Sequence, residues 1–132
     1  MHLDRLRALF REFPQLSAEC EGLMAFLKSR AEAGAELFSP EQLAGRIEVD
    51  SELATTLLMF ADDAGLVRPR YVAYCPEHDM PLRVASSLSE LPSEIDCPFH
   101  GEMHPLAELR IELQFELSQT EELLQLEEAN CR

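Results

Sequence analysis

Residues 38–67 read FSPEQLAGRIEVDSELATTLLMFADDAGLV, and their spacing decides the fold. Ser39 is a strong N-cap, Pro40 suits the first helical position, where its missing N–H costs nothing, and Gln42 completes a capping box. A short helix over about 39–46 is expected. Asp50 or Ser51 then caps a longer helix, 51–64, with Leu53, Leu57, Phe60, Ala61 and Ala64 on its apolar side and Gly65 as its stop. Past Gly65 the period changes. LVRPRYVAY at 66–74 is rich in β-branched and aromatic residues and predicts a strand. Pro69 cannot donate to a ladder, so an edge or bulged strand is expected.

Working outward, Leu3, Leu6, Phe10 and Phe13 recur at helical spacing and stop at Pro14, which predicts an amphipathic helix over 2–13. Its apolar face can pack on the chain's own core or on a second copy. Ser17 can cap the next helix, which carries Cys20, Leu23, Met24 and Leu27 on one face and ends near Gly34. On the other side, PLRVAS at 81–86 predicts a second short strand, and SLSELPSE a loop or a single helical turn. LRIELQFEL at 109–117 alternates apolar and polar without a break. As a strand it gathers Leu109, Ile111, Leu113, Phe115 and Leu117 on one face; as a helix it would scatter them. Strand is expected, although Leu, Glu and Gln are good helix formers. Ser118 and Glu121 predict a capped helix over about 119–130.

The order of a helix, a short helix, a longer helix and a strand pair after Gly-Leu-Val resembles the winged helix-turn-helix family over residues 17–86. The resemblance implies a helical core with a β wing. Where the wing would turn, the chain places Cys75-Pro76-Glu77-His78, and a second tetrad of the same form follows at Cys97-Pro98-Phe99-His100. The chain has four Cys and four His in 132 residues. At this composition Pro-x-His after a given Cys is roughly a one-in-five-hundred event, so two instances require a cause. Zinc supplies one. It takes four Cys or His donors in a tetrahedron, and two donors on a tight turn grip one edge of it. Proline stiffens each turn by fixing φ.

The pairing is that of a zinc ribbon, with Cys-x-x-His in place of Cys-x-x-Cys. The expected ligands of one structural zinc are Cys75, His78, Cys97 and His100, with His104 as the alternative to His100. Glu77 beside Cys75 resembles the Cys-x-Glu element of zinc deaminases, but the Pro-Cys-x-x-Cys that should follow is absent. No glycine-rich phosphate loop, Gly-x-Ser-x-Gly elbow or His-Glu-x-x-His occurs, so no enzyme class is indicated.

With 25 acidic and 11 basic side chains the formal charge is −14, which disfavours a polyanionic partner. Helix 51–64, the groove-reading helix if the family's geometry holds, has no Lys, Arg, Asn or Gln and carries Glu52, Asp62 and Asp63. Arg68, Arg70 and Arg83 on the wing, with Arg5, Arg7 and Arg11, are what a DNA-binding reading would use. Four cysteines, two of them unpatterned (Cys20 and Cys131), argue against a disulfide framework. The N-terminus lacks the apolar core of a secretion signal and no run reaches membrane-span length, so a soluble cytoplasmic chain is expected.

The expectation is an α+β protein, a winged-helix helical core with a small antiparallel zinc-ribbon-like β region and a C-terminal acidic helix. Its segments are an N-terminal helix at 1–16, the winged-helix-like domain at 17–73, the zinc-binding region at 74–117 and the last helix at 118–132. A winged helix, a ribbon and an acidic tail in that order are similar in layout to the large subunit of transcription factor E, which implies work through protein contacts. The leading functional expectation is a non-enzymatic adaptor or regulatory subunit with a protein partner. The N-terminal helix or strand 109–117 would serve a homodimer. The alternative is a winged-helix transcriptional regulator.

Overall fold

A computed structural model describes residues 1–35 and 37–126. The chain is α+β. In order it forms α1 (His2–Arg11), α2 (Ser17–Glu32), β1 (Leu37–Phe38), α3 (Pro40–Ile47), α4 (Ser51–Asp63), β2 (Val67–Tyr74), β3 (Pro81–Ala85), β4 (Glu94–Cys97), β5 (Glu102–Pro105), β6 (Arg110–Leu117) and α5 (Thr120–Leu124). Short 3₁₀ turns precede α2 and separate β3 from β4 and β5 from β6. Two compact units result: residues 1–68 with 115 onward, and residues 69–114. The N-terminal helix and α5 therefore belong with the helical core. Among the described residues no helix is long and apolar enough to cross a membrane.

In the first unit the local signals at α3 act as read. Ser39 Oγ accepts from the Gln42 N–H at 3.3 Å, and Gln42 Oε1 accepts from the Ser39 N–H at 2.8 Å. Asp50 caps α4 by accepting from the Leu53 N–H at 2.7 Å. Gly34 and Gly65 end α2 and α4 with φ of +71° and +84°, the left-handed stop that glycine takes at little cost. The apolar face of α1, namely Leu3, Leu6 and Phe10, is buried within this unit. Phe10 meets Phe60 of α4 edge-on, with ring centroids 5.1 Å apart.

Two expected caps fail for a tertiary reason. Ser17 makes no cap, because the 3₁₀ turn Pro14–Leu16 runs straight into α2. Ser118 makes none either: its hydroxyl donates to the Gly65 carbonyl at 2.7 Å and its N–H to the Leu66 carbonyl at 2.9 Å. The last helix therefore begins at Thr120; the expected stretch beyond 126 lies outside the described residues. One cysteine also departs from expectation. Cys20 is disulfide-bonded, whereas Cys75 and Cys97 are free thiols.

Glu122 of α5 holds the start of α1. Its carboxylate accepts from the Leu3 N–H at 2.7 Å and the His2 N–H at 3.3 Å, and lies 3.0 Å from His2 Nδ1. Those N–H groups have no partner within their own helix. Burial pushes the Glu122 carboxyl up, but the N–H of Leu3 and the side chain and N–H of His2 outweigh it and hold it below the usual range. A group with a depressed folded pKa stabilises above its unfolded-state value and loses that contribution as pH falls through the folded one. Glu122→Gln should cost about 1 kcal/mol at neutral pH and flatten the acid limb of the stability curve; charge-assisted hydrogen bonds set that scale. Denaturant melts of both proteins between pH 3 and 7 read it directly, and parallel acid limbs would contradict it.

The four-stranded sheet is ordered β1-β6-β2-β3. β6 confirms that 110–117 is a strand. Its C-terminal end pairs with β1 in the first unit, Phe38 opposite Phe115. In the second unit β2 and β3 pair antiparallel from Tyr71↔Ala85 to Tyr74↔Pro81, with an irregularity between Ala73 and Tyr74. Of the two expected alternatives for β2, edge or bulged, the order rules out the edge, while the irregular step after Ala73 agrees with the second; pairing with β3 starts only at Tyr71, past Pro69. A second, two-stranded sheet joins β4 and β5; neither strand was expected from the sequence. One small apolar cluster of this unit gathers Ala73, Ile95 and Leu109, with Leu82, Leu106 and Ile111 partly buried around them.

Candidate metal centre

Both Cys-Pro-x-His tetrads fold as the same turn. The His78 N–H donates to the Cys75 carbonyl and the His100 N–H to the Cys97 carbonyl, each at 3.2 Å. In the second turn the Gly101 N–H also reaches the Cys97 carbonyl at 2.9 Å, and Gly101 takes φ +66°.

Three elements bring the donors together. Cys75 follows the end of β2, immediately after the irregular step at Tyr74; such a step twists a strand and re-aims the next side chain. Cys97 ends β4. His104 lies on β5, where the register sets Cys97 opposite Glu102 and Ile95 opposite His104. Residues two apart on a strand share a face, so Cys97 and His104 project on the same side of this hairpin. His100 sits on the turn between them.

The ligand atoms of Cys75, Cys97, His100 and His104 all lie within 4.8 Å of one another, and this group can hold a metal ion. Both sulfurs are fully buried. His100 Nδ1 is the hub, 3.2 Å from Cys97 Sγ, 3.7 Å from Cys75 Sγ and 3.2 Å from His104 Nε2. One ring nitrogen carries either one proton or one lone pair, so it cannot make three hydrogen bonds at once. A tetrahedral zinc, with Zn–S of about 2.3 Å and Zn–N of about 2.0–2.1 Å, keeps its donors about 3.3–3.8 Å apart. The three separations fall near those edges.

The sequence named His78 where the geometry places His104. His78 stands in a second group with Glu77 and His100, and its ring packs against Phe99, centroids 4.1 Å apart. Glu77 was seen in the sequence only as a deaminase-like echo. Its Oε2 lies 2.8 Å from His100 Nε2, on the side of the ring away from the sulfurs.

The electrostatics favour a thiolate at Cys97. The hydrogen bond that Glu77 accepts from His100, then that with Cys97, holds the His100 imidazole above its ordinary value, and the bond to Glu77 lowers that carboxyl in turn. Burial pushes the Cys97 thiol up, but the His100 ring, the backbone N–H groups of His100 and Phe99, and the His104 ring outweigh it and bring the thiol down to about 7. Thiolate is the metal-binding form.

No family model, curated protein or solved structure matches this chain.

Proposed function

We propose that this protein is a non-enzymatic interaction module, an adaptor or regulatory subunit, in which one structural zinc ion held by Cys75, Cys97, His100 and His104 braces residues 69–114. The observation that carries the zinc reading is the convergence of three donors on His100 Nδ1. Two thiolates and two imidazoles suit zinc better than the hard cations, which prefer oxygen. Four protein donors form a closed set and leave no position for a catalytic water. The order α2, β1, α3, α4, β2, β3 supports a winged-helix reading of the helical core with its hairpin.

The exposed face of α4 supports docking to protein over reading DNA. It presents Ser51, Glu52, Thr56, Met59 and Asp63. The Thr56 hydroxyl is turned back to the Glu52 carbonyl at 3.1 Å, and Met59 is 47% exposed. A surface with carboxylates, a bare thioether and no cation repels phosphate. Arg68 and Arg83 are exposed, but the Arg70 guanidinium bonds its neighbour's carbonyl, that of Pro69, at 3.0 Å.

Two measurements test the proposal. Elemental analysis of the purified protein should give about one zinc per chain; a metal-free, folded protein would end the zinc reading. Titration into random duplex DNA at low salt should show no binding. Binding that weakens steeply with added salt would favour the transcriptional regulator instead.

A further inference from the structure

The two tetrads fold alike, yet only the second places its histidine in the four-donor group. This asymmetry bears on what the first tetrad does, and the inference rests on the zinc reading above. We infer that Glu77 is a positioning residue of the metal centre: the first tetrad supplies one ligand, Cys75, and an orienting carboxylate, while His78 serves as packing.

A histidine binds a metal through one nitrogen only if the proton sits on the other. Glu77 Oε2, 2.8 Å from His100 Nε2, accepts a hydrogen bond from a proton held on that nitrogen, which leaves the Nδ1 lone pair facing the two sulfurs and His104. Carboxylates that hold a ligating histidine in this way fix its tautomer and ring angle and make it a better donor. The turn geometry explains why residue 77 can do so. Cys75 is buried while Glu77, two residues on, is exposed, so the same turn that points sulfur inward carries the carboxylate round the outside of the His100 ring. His78 lies against Phe99 of the second tetrad and 5.4 Å from the His100 ring centroid, closing the other side of that turn.

Removing such a partner generally weakens metal binding about 10–100-fold. The Glu77 side chain is 72% exposed, and water screens an exposed pair, so an effect near the lower end of that range is expected. The test is a competition titration of the full-length protein against a chromophoric zinc chelator. Glu77→Ala should bind zinc about tenfold more weakly than the parent, and Glu77→Gln, which keeps an acceptor but no charge, should fall between them. His78→Ala should keep one zinc per chain; His104→Ala should not. Nitrogen-15 spectra of the zinc-loaded parent should show the His100 proton on Nε2, a readout that simple loss of folding would not supply.

Equal zinc affinity for the parent and Glu77→Ala would overturn the role of Glu77 and leave the zinc site standing. Loss of zinc in His78→Ala with retention in His104→Ala would show that the first tetrad gives two ligands, and would overturn it as well. A parent protein that takes no zinc in the titration would remove both readings together.

Discussion

Cys97→Ser is expected to strip the protein of zinc and to abolish hydrogen-exchange protection across residues 69–114, while residues 1–68 keep theirs. The size of the effect follows from how little else holds that unit. Besides the two cysteines, its buried apolar residues are Val72, Ala73, Ala85, Leu91, Ile95 and Leu109, a small interior with which to offset the conformational entropy of a segment this long. Structural zinc contributes an apparent 10–16 kcal/mol or so in small metal-dependent domains at neutral pH. Serine keeps the shape of cysteine but is a poor zinc ligand, and three donors cannot close the tetrahedron. The helical core has its own interior, with Leu23, Met24, Leu27, Leu57 and Leu58 fully buried, and among the described residues both groups that could hold a metal lie in the other unit. Hydrogen exchange read by mass spectrometry separates the outcomes. Should both segments lose protection together, the two units fold as one cooperative body and the division drawn above fails.

Phe38→Ala should bring the second large loss, this time in the helical unit. Phe38 is 1% exposed. It meets the Phe26 ring edge-on at 5.3 Å and stacks with Phe115 at 6.4 Å, so three elements, α2, β1 and β6, meet at its ring. Truncating a buried Phe to Ala costs about 3–5 kcal/mol, because the cavity adds to the lost transfer energy. Against a total stability of about 5–15 kcal/mol, the midpoint of thermal unfolding should fall by roughly 10–20 °C. The zinc content should stay near one per chain, since the four proposed donors all lie in the other unit. A drop of only a degree or two would mean that β1 adds little to this core.

What could be read from the sequence was what is decided locally. The capping box at Ser39 and Gln42 closes within one turn, and β6 announces itself by strict alternation, so both appear as expected. Ser17 and Ser118 carry the same local signal and do not cap, because Pro14–Leu16 continues the chain helically in one case and the Gly65 carbonyl takes the hydroxyl in the other. Glu122 could not have been found: its partners His2 and Leu3 lie at the far end of the chain. The metal centre divides in the same way. Both cysteines and His100 follow from the repeated tetrad, a local pattern. The placing of His104 beside them depends on the register of β4 against β5, two four-residue strands, EIDC and EMHP, too short for a periodic pattern to fix their pairing. Glu77 was visible only as a residue type, since its partner is His100 of the other turn.

Zinc X-ray absorption on the purified, unmutated protein tests the central claim most directly. Expected are two sulfur donors at about 2.3 Å and two nitrogen donors at about 2.0–2.1 Å, with no further light atom in the inner shell. A shell containing a water oxygen, a single sulfur, or no zinc at all would contradict a closed structural site at Cys75, Cys97, His100 and His104.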